Sequence, residues 1–407
     1  MESPRLAPRT TVSTEIDQAV TDLWPRLVDW RRHLHRHPEL SFRERETARY
    51  IGDHLSALGL DVAFPVPTAV VGRLRTGRPG PTLALRADID AIAVTEDSGL
   101  DYASVNPGVM HACGHDGHVA VLLGVASVLH RLRDLLRGEI RLIFQHGEEQ
   151  VPSGAPELVE AGVLDGVQAI IGQHLWAPLE VGRVCVRPGP LMASTDYFEV
   201  LVHGKGGHAG LPHQTVDPLA VAAQVVTSLN HLVARETDPQ DSLVVSVTRF
   251  HAGETINVIA DRAALGGTIR ALDERVRQAA PGRIERVVHG VAEAFGARAE
   301  VSFRFGPPAV DNDRALVDSV AEAVRRQLGE DALTHYTPVM GGDDFSFYQQ
   351  HVPGVYLLVG AGVPGADNPP HHHPAFRLDE RALAHAARVL ADAAAWFCDR
   401  ERGADDG

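Results

Sequence analysis

The sequence predicts an α/β fold: a mixed, mostly parallel sheet with helices on both faces, interrupted by an inserted α+β domain. The first 180 residues alternate helix and strand patterns, and this alternation resumes after Phe305. The intervening residues follow the order β-α-β-β-α-β, which is the split, ferredoxin-like arrangement. We therefore predict a first domain built from residues 1–188 and 306–407, with residues 189–305 inserted into it; a length of 407 residues agrees with two domains.

The elements of the first domain follow from hydrophobic periodicity. Amphipathic patterns predict helices over Ile16–His35 and over Phe42–Leu58, the second ended by Gly59. Val119–Leu129 is nearly all apolar and predicts a helix packed on a sheet. The strands are predicted at four apolar runs, Thr82–Arg86, Ile140–Phe144, Ala169–Gly172 and Val355–Val359. Their βαβ succession predicts parallel pairing.

The inserted segment changes pattern near Gly189. Tyr197–His203 alternates as a strand, and Asp217-Pro218 supplies an N-cap and an N1 proline to a helix that runs to about Arg235. Pro281-Gly282 must kink or split the helix predicted over Glu274–Phe295. The remaining predicted strands are Leu243–Phe250, Ala263–Ala271 and Arg298–Phe305.

Composition excludes several classes of protein. The formal net charge of −15 argues against nucleic acid or an anionic membrane as a partner. Apolar runs fall short of the ~20 residues of a membrane helix, and the N-terminus lacks the apolar region of a signal peptide. Three cysteines do not make a disulfide framework, so we expect a cytoplasmic protein. The polar tails, Met1 to about Ser13 and Glu401 to Gly407, are predicted to be poorly ordered.

Four separate segments carry metal-binding side chains. They hold Cys113 and His115 in a glycine-rich turn, the Glu148-Glu149 pair, His174, and the cluster His371–His373. Each lies near the end of a predicted strand, where open α/β sheets bind ligands. Thiolate, imidazole and carboxylate groups that converge in this way indicate a transition-metal site.

Each segment taken alone has a plainer interpretation. A lone cysteine is usually core, an adjacent glutamate pair is usually a solvated face, and a histidine run can be a loop. Their combination at strand ends favours a single pocket. A second carboxylate beside a ligand carboxylate is the group that makes such a site hydrolytic, because it can accept a proton from water.

The ordered motifs resemble those of the metal-dependent aminoacylase and hippurate hydrolase family. That family includes the plant auxin-conjugate amidohydrolases and is related to carboxypeptidase G-type dinuclear metallopeptidases. The resemblance runs from about Arg31 to Leu378. Its markers are Arg86–Asp90, His111–His118, Glu148-Glu149, Gln173-His174, Gly204–Gly210, Pro212–Pro218, Ile256–Ile259, Gly267–Arg270 and Gly341–Phe345.

The resemblance implies two divalent ions and a role for each matching residue. The implied metal ligands are Cys113, His115, Glu149, His174 and one histidine of the cluster, His372, two residues before Pro374. Glu148 is the implied general base, and Asp90 is implied to orient the site. The inserted domain would be a lid that also forms a homodimer or a dimer of dimers. It would bring His208, Asn257 and Arg270 to the substrate, with His208 entering the partner's site.

The sequence departs from the family pattern at three places. His146-Gly147 stands where the family has Pro-Ala, Gln150–Ser153 replaces a glycine run, and Asp343 replaces a glutamate. None of these removes an implied ligand, so they bear on which substrate is bound.

Three functions remain open at this point. The first is hydrolysis of N-acyl amino acids to a carboxylic acid and a free amino acid. The second is a dipeptidase or carboxypeptidase with the same site, and the third is a non-catalytic metal-stabilised binding protein. Glu148 favours an enzyme, because structural metal sites are closed and carry no spare base. Mixed S, N and O ligands suit Zn, Mn, Co or Ni.

Overall fold

The computed structural model describes residues 11–399. The helices are α1 Thr11–Arg36, α2 Arg45–Ala57, α3 His115–Arg131, α4 Ala155–Glu160, α5 Pro218–Glu236, α6 Glu274–Ala294, α7 Arg314–Leu328, α8 Phe345–Gln349 and α9 Arg381–Asp399. The strands are β1 Asp61–Ala63, β2 Val70–Arg75, β3 Thr82–Asp88, β4 Glu139–Gln145, β5 Ala169–Glu180, β6 Val184–Cys185, β7 Gly189–Met192, β8 Asp196–His203, β9 Gly207–His208, β10 Leu243–Ala252, β11 Val258–Ile259, β12 Arg262–Ala271, β13 Arg298–Phe305, β14 Val310–Asn312 and β15 Gly354–Gly362. The predicted tails lie outside the described residues, except that residues 11–13 open α1.

The chain divides into two compact units. One contains the residues up to Gly189, Asp311–Thr337, and the residues from Phe347 onward; the other contains Pro190–Val310 and Pro338–Ser346. The sequence did not predict that residues 338–346 would group with the second unit. Within the described residues, no helix is both long and apolar enough to cross a membrane.

The first unit is built on a seven-stranded mixed sheet with the order β1-β2-β4-β3-β5-β15-β6. Its four central strands, β4, β3, β5 and β15, pair in parallel, and the outer pairs are antiparallel. The chain passes from β3 to β4 on one side and then from β4 to β5 on the other. This reversal is the switch point at which open α/β sheets form ligand crevices.

Helix α3 occupies the centre of the first unit's core. It packs against α1, α9 and β3, and residues Val119–Ala126 are all buried. An apolar surface of this kind on every side is typical of a helix enclosed by other elements. The helix therefore holds its N-terminus, which carries His115, in a fixed position.

The second unit has a four-stranded antiparallel sheet in the order β10-β12-β8-β13. Helices α5 and α6 pack on it and bury apolar residues such as Val225 and Ile284. The ferredoxin-like prediction is confirmed by this order, which places the first and third long strands at the centre. The predicted N-cap is also confirmed, because the Asp217 side chain accepts bonds from the amides of Leu219 and Ala220.

Three local predictions need correction. Helix α2 begins at Arg45 and not at Phe42, which has a left-handed φ of 64° that a helix cannot contain. Helix α6 runs through Pro281, so the second of the two expected outcomes there, a kink or a split, does not occur. Strand β5 continues to Glu180, so His174 lies inside a strand and not after its end.

A buried ion pair lies at the edge of the second unit's sheet, where β8 begins and β13 ends. Asp196 accepts bonds of 2.8 Å from both Nε and Nη2 of Arg277, and both side chains are almost fully buried. The amide of Gly306, just after β13, donates to the same carboxylate at 3.0 Å. Asp196, the first residue of β8, therefore also holds the chain at the point where it leaves β13.

We predict that Asp196→Ala destabilises the second unit by ~3–5 kcal/mol, because Arg277 would be left buried without its counter-charge. Native-state hydrogen exchange at the amides of β8 and β13 measures this loss. The control is Glu300→Ala, which removes an exposed partner of Arg298 on β13 and should leave the exchange unchanged. Equal exchange in the two variants would contradict the prediction.

Candidate metal centre

The parallel pairing of β3 and β4 brings acidic residues to one edge of the sheet. Asp88, the last residue of β3, is in register with Gln145, the last residue of β4. Asp90 lies two residues after the end of β3, and the Glu148-Glu149 pair begins three residues after the end of β4. The amide of Glu149 donates to Oδ2 of Asp90 at 3.1 Å, which ties the two loops together.

The N-terminus of α3 presents Cys113 and His115 to this edge. Gly114 is the N-cap and has a φ of 95°, a left-handed conformation that glycine adopts without strain. Nδ1 of His115 lies 2.9 Å from the carbonyl oxygen of Asp90 and 3.3 Å from its carboxylate. When this ring binds a metal ion, Nδ1 therefore carries the proton and Nε2, which lies 3.8 Å from Oε1 of Glu149, is the ligand atom.

Two further imidazoles complete the arrangement. His174 donates from Nδ1 to the carbonyl of Leu175 at 3.0 Å, which leaves Nε2 3.5 Å from Sγ of Cys113. His372 has a left-handed φ of 67°, and its amide donates to the carbonyl of Ala112 at 2.8 Å. Its Nε2 lies 3.2 Å from Oε1 of Glu149. Strained backbone at a non-glycine residue is a feature that clusters at functional sites.

The structure thus brings the five residues chosen as metal ligands into one cluster. Ligand atoms of Cys113, Glu149 and His372 lie within 4.8 Å of one another, and so do those of His115, Glu148 and Glu149. Asp90 contacts His115 and the Glu149 amide, as expected of a residue that orients ligands. The other three predicted site residues, His208, Asn257 and Arg270, belong to the second unit.

His208 and Asn257 lie together in the second unit. The short strands β9 and β11 pair His208 with Val258, and the amide of Ala209 donates to the carbonyl of Asn257 at 3.1 Å. The amide of Gly210 donates to Nδ1 of His208 at 2.9 Å. The exposed Nε2 of a neutral His208 therefore carries the proton and is a hydrogen-bond donor.

Arg270 lies near the end of β12. Its Nε donates to Thr268 Oγ1 at 3.1 Å, and its Nη1 contacts Thr195 Oγ1. Burial lowers the pKa of this guanidinium. Among the described residues no carboxylate lies within ion-pair distance of it, and its hydrogen-bond partners there are hydroxyl groups.

The sequence analysis assigned no specific role to Asp88, His118 or His371. His118 donates from Nδ1 to Asp88 at 2.5 Å and accepts the amide of Leu175 on Nε2 at 2.9 Å. Nε2 of His371 accepts the amide of Ala177 at 3.2 Å, so Nδ1 carries the proton and faces the Cys113 sulfur at 3.9 Å. These backbone contacts occupy nitrogens that would otherwise bind metal. For Asp88, a signal was available in the sequence. Residues 86 and 88 are two apart on a strand and so lie on the same face, where Arg86 Nη1 donates to Asp88 at 2.7 Å.

The pKa shifts of the clustered side chains show that a positive charge would be stabilised among them. Burial raises the pKa of the Cys113 thiol well above its usual range, and the nearby Glu149, Glu148 and Asp88 add to the effect. Burial disfavours a charged His115, yet the carboxylates of Asp88, Asp90 and Glu149 raise its pKa to about 10. Oε1 of Glu149 is buried and accepts no well-formed hydrogen bond from the described residues. A thiol, an orphaned carboxylate oxygen and imidazole lone pairs that meet in this way fit divalent metal ions.

The loop before the glutamate pair explains one departure from the family pattern. Gly147 has a φ of 61°, and a Cβ on it would lie 2.7 Å from the ring of Phe42. The Gly147 amide donates to the buried carboxyl of Glu44 at 2.8 Å. His146 packs edge-on against the same Phe42 ring and contacts Glu157 at 3.0 Å. Phe42 occupies the volume that an alanine methyl group would need here.

Comparison with known proteins identifies what this chain is similar to. Residues 84–396 match the model of peptidase family M20/M25/M40. The chain is 49% identical over 293 residues to an N-acyl-L-amino acid amidohydrolase of Geobacillus stearothermophilus, covering 72% of this chain and 79% of that one. It is 43% identical over 374 residues to an N-acetylcysteine deacetylase of Bacillus subtilis, covering 91% and 96%.

A solved structure gives the same result. A dinuclear metal-binding peptidase of the M20 family from Bacillus subtilis superposes with a TM-score of 0.83 at 38% identity. The match covers 93% of this chain and 99% of that one.

We predict that Gly147→Ala lowers kcat sharply, because the methyl group must displace Phe42 and the backbone must leave its left-handed conformation, which moves Glu148 and Glu149. A shift of about 1 Å at such a site can reduce the rate ~10²-fold. The measurement is kcat together with metal content. The control is Gly290→Ala in α6, where a Cβ meets nothing within 4 Å and activity should be preserved. Full activity in Gly147→Ala would show that the loop has room to adjust.

Proposed function

This chain belongs to peptidase family M20/M25/M40, and from that premise we propose that it cleaves the amide bond of N-acyl amino acids to a carboxylic acid and a free amino acid. It is a hydrolase that acts on amides. One observation carries the proposal: Glu148 and Glu149 are adjacent, and both reach His115, but only Glu149 also reaches Cys113 and His372. One carboxylate can thus bind metal while the other acts on water.

Cys113, His115, Glu149, His174 and His372 would hold two divalent ions. Bound there, the ions would polarise the substrate carbonyl and acidify water. His372 is preferred to His371 because Nε2 of His371 accepts a backbone amide and its Nδ1 faces the Cys113 sulfur. Zn, Mn, Co and Ni all suit this set of S, N and O ligands.

Glu148 would act as the general base and then as the general acid. Its carboxylate takes a proton from the attacking water and later delivers it to the leaving nitrogen, which departs as a neutral amine. Asp90 assists indirectly, since its carbonyl and carboxylate set the tautomer of His115.

His208 would stabilise the negative charge that develops on the carbonyl oxygen. The Gly210 amide bond to Nδ1 supports this role, because it keeps the proton on Nε2, where it can be donated. Arg270 and Asn257 would bind the α-carboxylate of the substrate. A half-buried guanidinium whose hydrogen-bond partners among the described residues are hydroxyl groups is suited to a carboxylate ligand.

We propose a cytoplasmic homodimer that forms through the second unit, with His208 acting in the partner's site. The same carboxylate anchor would also suit the C-terminus of a dipeptide, which keeps a dipeptidase or carboxypeptidase as the alternative activity. Comparing release of amine from N-acetyl amino acids and from dipeptides distinguishes the two. A protein that binds metal and hydrolyses neither would instead be a binding protein.

Glu148→Gln should reduce kcat ~10²–10⁴-fold and retain the metal, because the amide keeps the shape of the side chain but cannot accept the water proton. Turnover of an N-acyl amino acid is measured beside metal content by elemental analysis. The matched control is Glu160→Gln, an exposed glutamate at the end of α4, which should behave as wild type. Near-normal turnover by metal-loaded Glu148→Gln would refute its role as the base.

Arg270→Ala should remove the preference for a free carboxylate. Converting the substrate carboxylate to a primary amide should cost the wild type ~1.5–3 kcal/mol in kcat/KM, the value of a charge-assisted hydrogen bond. It should cost Arg270→Ala much less, because the partner is already absent. Arg298→Ala, which alters an exposed arginine on the same sheet, serves as the control. If the wild type hydrolyses acid and amide equally well, Arg270 is not the anchor.

Mixing Glu148→Gln and His208→Ala proteins should restore part of the lost activity. If His208 acts across the dimer, each heterodimer contains one site with both residues intact. Activity is followed while mass spectrometry records subunit exchange. Complete exchange with no recovery of activity would place His208 in its own subunit's site or outside the reaction.

A further inference from the structure

A buried ion-pair network lies behind the turn that carries Cys113 and His115. Its centre is Asp116, the residue after His115, whose side chain is fully buried. Nε of Arg31 donates to Oδ2 of Asp116 at 3.1 Å, and Nδ1 of His35 contacts the same oxygen at 2.9 Å. Both partners come from α1, some 80 residues earlier in the chain.

The network continues from His35 to a second ligand-bearing segment. Nε2 of His35 contacts Oε1 of Glu96 at 3.1 Å, and the other Glu96 oxygen accepts the amide of Ser104 at 2.7 Å. The next residue, Asp97, donates its amide to the carbonyl of Pro374 at 2.8 Å. Pro374 lies two residues after His372. His35 thus connects the turn with Cys113 and His115 to the loop that carries His372.

Arg31 makes the same connection by another route. Its Nη1 donates to Oε1 of Glu380 and to the hydroxyl of Tyr102, both at 3.0 Å. Glu380 lies at the end of the segment that follows His372 and directly precedes α9. Arg31 therefore joins Asp116 to the other end of that segment.

The network also includes Arg32, which pairs with Glu380 at 2.8 Å, and its three carboxylates are balanced by the two arginines only when His35 is an imidazolium. Both of its nitrogens face carboxylates, and a neutral ring could donate to just one of them. Burial opposes the charged ring, but Asp116 and Glu96 raise the pKa of His35 above its ordinary value. A ring that donates from both nitrogens fixes the distance between its two partners, which a single hydrogen bond cannot do.

We propose that His35 is a positioning residue that holds the Cys113–His115 turn against the His372 segment, and so determines how tightly the metal ions are retained. The inference rests on the metal centre proposed above. It concerns the contacts behind the ligands, and neither His35 nor Arg31 touches the substrate or the ions. Residues that orient ligands in this manner change metal affinity ~10–100-fold when they are replaced.

Two amide substitutions remove the two contacts of His35, to Asp116 and to Glu96, one at a time. The nitrogen of an asparagine side chain is the same number of bonds from Cα as Nδ1, and that of glutamine matches Nε2. His35→Asn therefore keeps a donor for Asp116, and His35→Gln keeps a donor for Glu96. The proposal requires both variants to weaken the connection, because each keeps only one of the two hydrogen bonds that His35 makes.

The test uses the full-length protein loaded with Co²⁺, in which ligation by Cys113 is seen as a thiolate-to-cobalt charge-transfer band. Release of the metal to an excess of a coloured chelator is timed well below the unfolding temperature. Both His35→Gln and His35→Asn should release cobalt ~10–100-fold faster than the wild type, and His35→Gln, which loses the contact to Asp116 beside His115, should also alter the charge-transfer band. The control is His33→Gln on the same helix, whose ring instead stacks on Tyr50 at 4.3 Å.

The outcomes are distinct. A wild-type protein that shows no charge-transfer band would overturn the proposed metal centre itself. A normal wild-type band with release from either His35 variant as slow as from the wild type would overturn the role of His35 alone. If His35→Gln does not fold, Arg31→Lys replaces it, because lysine keeps the charge but loses the planar fork that reaches Asp116 and Glu380 together. Unchanged release from that variant would overturn the proposal.

Discussion

Mutual repulsion among crowded acidic groups, one buried and three partly buried, is the constraint on which the architecture of the first unit depends. Cys113, Glu148, Glu149 and Asp88 meet in one small volume, and the sheet and α3 force them together. Two unit charges 4 Å apart repel by about 4 kcal/mol at an effective dielectric constant of 20. Such a cluster is stable only with positive charge close to it, supplied by Arg86 beside Asp88 and, for the other groups, by protons or metal ions. The rest of the unit holds the groups in place against this repulsion.

Backbone amides and carbonyls contribute to this positioning, because they determine which nitrogen of each histidine is available to bind metal. The carbonyls of Asp90 and Leu175 fix His115 and His174 so that their Nε2 lone pairs face the cluster. The amides of Leu175 and Ala177 do the opposite for His118 and His371. Four imidazoles of the same chemical type are thereby divided into two that can bind metal and two that support the site. The division depends on strand register and cannot be read from the residue types.

This explains how far the sequence could predict the structure. Local signals were sufficient for the elements, since periodicity located the strands and Asp217-Pro218 located the start of α5. Motifs were sufficient to choose the residues that meet around Glu149. Contacts between distant segments were not predictable: Arg31 and Asp116 are 85 residues apart, and nothing local marks them as partners. The left-handed conformation of Phe42 likewise follows from its packing on Gly147 and not from its neighbours in sequence.

The ends of the second unit's sheet have a consequence for folding. Asp196, the first residue of β8, pairs with Phe305, the last residue of β13, and Asp196 also binds the amide of Gly306. Once this sheet has formed, a segment of more than a hundred residues begins and ends at neighbouring points. The entropy of closing a loop grows with its length, so early folding of the second unit converts a very long loop into a very short one. The parallel strands β5 and β15 lie on either side of that segment in the chain. Their pairing then closes a loop that is shorter by the length of the segment, which should speed its formation.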